Sequence, residues 1–220
     1  MKRIHILGFS NPAAEYLLVK LNNQKNRCYC YSNSRKLSLE TKVVPYKNII
    51  DNFKKNDYLI SFIPIIKLIP YLEELGKISK YPKLIIACSS TSVNSKVLSS
   101  SPDAFAYNHF LIGEHYLLDY YVKNLQREKH NINILILRLS MLWGGRKDKN
   151  INFIYEFLMK FGFFPLLGVS PLGKRYPLHH SYLSETIFNI LKRPLDSGIY
   201  TLQGPEQIKY DNMISEIKDK

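Results

Sequence analysis

Three positions near the amino terminus are spaced for holding an anion. In GFSNPAA, residues 8–14, Gly8, Asn11 and Ala14 recur at three-residue intervals directly after the apolar run IHIL. A turn of this kind, between a strand and a helix, presents free backbone N–H groups and the positive end of the helix dipole, which together favour phosphate. Glycine serves there because a side chain would block close approach, and a dinucleotide-binding turn ordinarily has three. In this turn only Gly8 is a glycine. Asn11 is a good N-cap and Pro12 suits the first helical position, so the helix start is well specified. An Asn11 side chain that caps the helix consumes one N–H group that a phosphate would use. Asparagine also adopts the left-handed conformation that glycine supplies. Gly8, Ser10 and Asn11 are therefore the candidate pyrophosphate contacts; the alternative is an ordinary capped helix without a ligand.

The next apolar run ends in a second candidate. RCYCYSNSRK, residues 27–36, has no Asp or Glu to hold a pair of ribose hydroxyls, but it has Ser32, Ser34, Arg35 and Lys36. For an adenine dinucleotide this composition favours the 2′-phosphate form, NADP, over NAD. Ser32, Ser34 and Arg35 would be its contacts, and a solvated basic turn is the alternative. Cys28, Cys30 and Cys88 do not make a metal-ligand set, so no metal is expected. An odd cysteine count without a secretion signal points to reduced thiols in the cytoplasm.

These groups need a scaffold, and apolar periodicity supplies one. Strands are expected over 3–8, 27–32, 57–63, 83–89, 132–139 and 198–203, and helices over 12–23, 65–79, 109–128, 152–161 and 181–193. Short apolar strands alternating with helices predict an α/β, doubly wound parallel sheet of the Rossmann type. Residues 1–143 form the dinucleotide-binding core in this scheme. Residues 144–220 form a small substrate lobe that returns elements to the core, one compact unit. The chain has 220 residues and 45% hydrophobic content, enough for one sizeable core. No run approaches the ~18–20 apolar residues of a membrane span. The net charge is +13, which suits anionic partners. The 31 Lys and Arg are scattered, without a nucleic-acid recognition motif, so no specific nucleic acid is expected.

Four further segments carry a resemblance. LIIACSSTSVNS, residues 84–95, resembles the fourth strand of the extended and atypical short-chain dehydrogenase/reductases, the nucleotide-sugar epimerases and dehydratases, which ends in a Ser-Ser-Thr-Ser-Val-Tyr-Gly type motif. INILILRLSMLWGG, residues 132–145, resembles their next strand with its Arg-Pro-x-x-x-Tyr-Gly ending. RYPLHHSYLSETI, residues 175–187, resembles the Pro-x-His-Val-x-Asp segment, and GIYTLQGPEQIKYDNMI, residues 198–214, the terminal strand and following helix. The likeness covers about residues 1–217, and the pieces fall in the family's order.

The resemblance implies an NAD(P) cofactor, a sugar-nucleotide substrate and a set of roles. Ser90 would hold the reacting oxygen and Ser89 the cofactor. Ser92, Arg138, Lys174, Arg175 and His179 would meet the substrate. The family moves its proton with a Tyr-x-x-x-Lys pair at the head of the next long helix. In AYNHFLIGEHYLLDYY, residues 106–121, Phe110 and Glu114 stand at that spacing and no Tyr-x-x-x-Lys occurs. Phenylalanine transfers no proton, and glutamate repels the phosphates a lysine attracts. Tyr107 and His109, both ahead of the helix's apolar stretch, are the candidates to replace the missing acid.

Plainer roles stand beside these. Ser90 can bond backbone at a strand end, Arg138 can pair with a buried carboxylate, and His179 and His180 can be hydrogen-bonding turn residues. Lys174 and Arg175 meet a diphosphate or form a solvated basic turn. Phe153, Phe157, Phe161 and Phe164 recur near helical spacing, as core or as a face for a partner or membrane surface. The 109–128 helix suits a homodimer contact. The expected function is an NAD(P)-binding epimerase, dehydratase or reductase-like protein of nucleotide-sugar metabolism. The alternative is a catalytically inactive relative that binds a dinucleotide or a protein partner in a regulatory or scaffold role.

Overall fold

Alternation within the first strand sets up two cores. In β1 (Arg3–Leu7) Ile4 and Ile6 face one side of a sheet and His5 and Leu7 the other, all fully buried. The computed structural model of the chain describes all residues except 25, 33–42, 97–101, 124–131, 146–147, 149, 166–172 and 220. The side chains of 95–96, 102–107 and 120 also fall outside the description. Six further strands join β1: β2 (Arg27–Tyr31), β3 (Val43–Val44), β4 (Tyr58–Ser61), β5 (Leu84–Ser90), β6 (Asn133–Leu139) and β10 (Gly198–Leu202). Their order is β10-β6-β5-β4-β1-β2-β3 and every pairing is parallel. The expected doubly wound α/β architecture is the one observed.

Helices cover both faces. On the Ile4 and Ile6 side, α1 (Pro12–Asn22) lays down Ala13, Ala14, Leu17, Leu18 and Leu21. Beside it packs α7 (His180–Lys192), through Leu183, Ile187, Ile190 and Leu191. Ser184 ties the two together, its hydroxyl donating to the Ala13 carbonyl at 2.6 Å. On the other side, α2 (Ile49–Asn52) and α3 (Ile65–Lys77) bury Ile49, Leu68, Leu72 and Leu75. A five-residue helix, α4 (Ser92–Lys96), follows β5.

The next helix differs from its expected 109–128 span. It begins at Pro102, where a proline suits the first turn, and α5 runs Pro102–His115. Residues 102–108 carry no apolar periodicity, so the pattern alone did not place that start. The helix then widens into a π turn over Tyr116–Tyr121, which still sends Leu117 and Tyr121 into the core. The expected end at 128 lies outside the described residues.

The rest forms a small layer beyond β6. Here α6 (Ile151–Phe161) packs against α8 (Tyr210–Lys218) around Ile154, Leu158, Met213 and Ile214. Two short strand pairs frame it. β7 (Leu142–Trp143) runs parallel to β9 (Leu178–His179), and β8 (Lys174–Arg175) antiparallel to β11 (Ile208–Lys209). Two-residue strands carry no period and were not legible. The phenylalanine stripe divides: Phe153 and Phe161 are 52% and 50% exposed, while Phe157 is half-buried and Phe164, beyond the end of α6, packs against this layer's core. The core of this layer takes Ile154 and Leu158 instead, one flank over.

Candidate functional site

The strand order reverses between β1 and β4, and in such sheets ligands bind at the carboxyl ends of the strands beside that point. Gly8 ends β1 there with φ +80. A Cβ at Gly8 would lie 3.1 Å from Ile63 Cγ2 and from the Phe62 carbonyl carbon. Glycine is therefore needed both for the left-handed backbone and for the close approach of Phe62 and Ile63, the segment that follows β4.

The turn's donors are largely engaged within the turn. Gly8 and Phe9 donate to the Tyr31 carbonyl at 3.1 and 3.0 Å, and Asn11 donates to the Gly8 carbonyl at 2.9 Å. The Asn11 side chain accepts from Ala13 N at 2.9 Å, and the Asn11 carbonyl accepts from Ala14 N at 2.9 Å. Pro12 has no N–H. Among the described residues, the Ser10 N–H is the donor of this turn without a partner, and Ser10 is exposed. The cap that specifies the helix has taken the group a phosphate would use. At the end of β2, Ser32 is buried and its N–H donates to the Val44 carbonyl at 3.2 Å. Ser34 and Arg35 lie outside the described residues.

At the end of β5 the structure gathers residues from three elements. Ser89 and Arg138 are register partners on β5 and β6. Glu114, on α5, lies over both and is 1% exposed. The Ser89 hydroxyl donates to Glu114. Arg138 grips the same carboxylate from Nε, 3.1 Å from each oxygen, and from Nη2 at 2.5 Å. Its Nη1 donates to Asn94 Oδ1 at 2.9 Å. The Glu114 hydrogen bonds hold the Arg138 guanidinium above its ordinary pKa, against a smaller opposing effect of burial. The buried carboxylate that Arg138 pairs with is thus Glu114. The pair is locally neutral, and its oxygens are fully engaged.

The remaining candidates are spread out. Ser90 Oγ accepts from Ser92 N at 3.2 Å, turning the chain into α4. His109 packs its ring on Phe110, centroids 4.2 Å apart. Tyr107 is placed within α5, but its side chain is outside the description. Lys174 and Arg175 are exposed on β8, and Arg175 lies over the Tyr210 ring, 5.3 Å from its centroid. His179 caps α7: its Nδ1 accepts from Ser181 N at 3.2 Å and lies 2.7 Å from Ser181 Oγ. Its ring sits edge-on to Trp143 at 4.8 Å and against Gly144. A Cβ at Gly144, φ +93, would overlap that ring, and one at Gly145 would overlap Pro12. These two glycines join the small layer to the start of α1.

A cavity of about 820 Å³ lies in the small layer and is lined by Trp143, Tyr155, His179, Tyr182, Asp148 and Glu206 among others. It takes no lining residue from the Gly8 turn or from Ser89–Ser92. We place the site by the topology and the buried charge cluster rather than by cavity size. The described residues hold no group of three or more His, Cys, Asp or Glu suited to a metal ion. Sequence reasoning noticed Glu114 but missed its role. The available signal was Arg138 on the neighbouring strand, an arginine that needed a partner.

The all-parallel seven-stranded sheet, its order reversing beside β1, defines a Rossmann-type fold. No family model matches the sequence, and no curated protein matches it. Solved structures do match. UDP-N-acetylglucosamine 4-epimerase from Bacillus cereus aligns over 100% of this chain and 81% of its own, with TM-score 0.69 and 14% identity. MoeE5 in complex with UDP-glucose and NAD aligns over 99% and 81%, with TM-score 0.74 and 14% identity. UDP-glucose 4-epimerase from Thermus thermophilus, a complex with NAD, aligns over 99% and 82%, with TM-score 0.70 and 11% identity. At such identities what is shared is the fold.

Proposed function

We propose that this chain is an NAD(P)-binding, epimerase/dehydratase-like protein of nucleotide-sugar metabolism that binds its ligands without performing the proton transfer of active epimerases. The observation that carries this is the Ser89–Glu114–Arg138 cluster. The helix offers no Tyr-x-x-x-Lys pair: Tyr107 is followed four residues later by Leu111, and Phe110 by Glu114, whose carboxylate Arg138 clamps. A positioned acid–base group contributes ~10²–10⁴-fold to proton transfer, and neither spacing gives a tyrosine its lysine partner. The pyrophosphate half of a dinucleotide fits the chain. Gly8 is required by the close approach of Ile63 and Phe62, the Ser10 N–H is the turn's open donor, and a phosphate would have to take Ala13 N from the Asn11 side chain. When bound, the cofactor supplies the hydride chemistry, while the chain's own part is confined to holding phosphate at Gly8–Asn11.

Several features support the finer points. The structural neighbours include UDP-sugar enzymes, and two of the complexes contain NAD. Exposed Lys174 and Arg175 suit a diphosphate. The absence of an acid in RCYCYSNSRK favours NADP. Ile66 and Ile112, 39% and 59% exposed, lie on α3 and α5, which meet at Gly113, and suit a homodimer there. Three free thiols suit the cytoplasm.

A thermal-shift panel with NAD, NADP, UDP-glucose and UDP-N-acetylglucosamine tests the proposal, run beside an epimerisation assay. Ligand at about 100-fold its Kd stabilises by ~2.7 kcal/mol, so a rise of several degrees is expected with a dinucleotide and with a UDP-sugar. No turnover is expected. Asn11→Gly costs only a few tenths of a kcal/mol as a cap change and frees Ala13 N, so it should increase the dinucleotide response. Turnover by the wild-type chain, or no shift with any ligand in either protein, would reject the proposal.

A further inference from the structure

The small layer carries an aromatic surface that the proposed function does not use. Phe157 on α6 is the centre of a cluster of rings. Phe161, Phe164, Phe163 and Phe153 lie 4.6, 5.3, 6.2 and 6.3 Å from it. Three of these remain largely open to solvent: Phe153 at 52%, Phe161 at 50% and Phe163 at 60%. That is about 300 Å² of contiguous aromatic surface, within the range of patches that mark an interaction site on a monomer. A helix apolar on more than its core-facing stripe is normally covered by something. On α6 the buried stripe is Ile154 and Leu158, and the phenylalanine flank lies beside it.

Charge selects the occupant. Lys160 stands next to the patch, its ammonium 5.2 Å from the Phe161 ring centroid. Lys174, Arg175 and Lys209 are exposed on the β8–β11 pair. That pair belongs to the same layer, because Ile208 and Tyr210 pack in one cluster with Phe164. Glu156 is the single acidic residue of α6 and bonds back to Asn152 at 2.8 Å. The opposite flank of α6, at Tyr155, opens on the cavity with Asp148, Glu206 and Glu216, so the two flanks differ in sign. The whole chain carries +13. Aromatic side chains beside basic ones on an amphipathic helix are the features of a membrane-surface contact, and each Lys or Arg near an anionic leaflet adds to the attraction.

We propose that the α6 phenylalanine flank and Phe163, with Lys160 and the β8–β11 cations, dock this protein on an anionic phospholipid surface. The contact is peripheral: no helix of the described residues is long and apolar enough to cross a membrane.

Co-sedimentation with vesicles tests it. The full chain is mixed with vesicles of phosphatidylcholine and phosphatidylglycerol in a roughly 2:1 ratio, or of phosphatidylcholine alone. Binding to the anionic vesicles is expected, with weakening as salt rises from ~0.1 to ~0.5 M. The double variant Phe161→Ser, Phe163→Ser should lose at least about tenfold in partitioning. Its melting temperature should be unchanged, since both rings are at least half exposed. The same variant's response to dinucleotides is a separate readout, so failure here is distinguishable from failure of the proposed function. No binding to anionic vesicles, or equal binding by the variant, would overturn the proposal. So would wild-type self-association that the double substitution abolishes, because the occupant would then be a second copy.

Discussion

Glu114 shows how one side chain can be read correctly by type and wrongly by role. By type it is a carboxylate, which the sequence sets against a phosphate, but Arg138 neutralises that charge. Its job in the fold is to neutralise Arg138 and to fix Ser89, two groups brought together only by strand register. Removing one member of a buried pair costs ~3–5 kcal/mol. Arg138 keeps 18% side-chain exposure and its bond to Asn94, so Glu114→Gln should lose about 2 kcal/mol in urea unfolding. A second buried titratable group, His5, was not singled out by sequence. Its Nε2 meets Asp57 at 2.8 Å, its Nδ1 meets the Tyr31 hydroxyl at 2.9 Å, and its ring stacks on Tyr29. Burial pushes its pKa down to about 4, against the opposing pull of Asp57. The unfolded chain takes up a proton near pH 6.5 that the folded chain refuses. Stability from this source is therefore complete above about pH 6.5 and falls as pH drops toward 4, by up to ~3 kcal/mol. The urea midpoint of the wild type should fall between pH 7 and pH 4.5 more steeply than that of His5→Gln. Equal slopes would show that His5 is not the group responsible.

Among the elements, the α3–α5 contact depends on a missing side chain. A Cβ at Gly113 would stand 2.7 Å from Ile65 Cγ2 and 3.3 Å from Ile66 N. Alanine is the better helix former by ~1 kcal/mol, yet overpacking costs ~1–3 kcal/mol. Ile65 is branched close to its backbone and yields little. Gly113→Ala should therefore lose on the order of 1 kcal/mol net, where an open helix surface would gain; a rise in the thermal midpoint would contradict this packing. The interior of each long element was legible, because period-two and period-3.6 patterns survive in strands such as LIIACSS and helices such as FIYEFLMKF. Ends were less so. Pro102 starts α5 well ahead of its apolar stretch, and the π turn at Tyr116–Tyr121 has no periodic signature. On α6 the pattern showed an amphipathic helix but not which apolar flank would be covered. Ile154 and Leu158 meet α8, while Phe153 and Phe161 meet solvent, a choice made by the crossing of two helices distant in sequence.

At the scale of the molecule, β6 and β10 pair across a gap of more than fifty residues, and α7 returns to clamp α1 through Ser184. The carboxyl-terminal segment is thus part of the main sheet and its cover as well as of the small layer. By itself the sequence determined the parallel α/β sheet, the capped helix after Gly8 and the lack of a Tyr-x-x-x-Lys pair in the segment 106–121. Each of these is local: burial periodicity, cap chemistry and residue identity act within a few positions. Tertiary structure alone decided that the Tyr31 carbonyl would take the Gly8 and Phe9 donors of the turn, that Glu114 would be held by Arg138 and Ser89, and that the phenylalanine flank would stay uncovered. Those outcomes depend on which side chains meet across strands and helices far apart in the chain, and contacts of that kind leave no periodic trace.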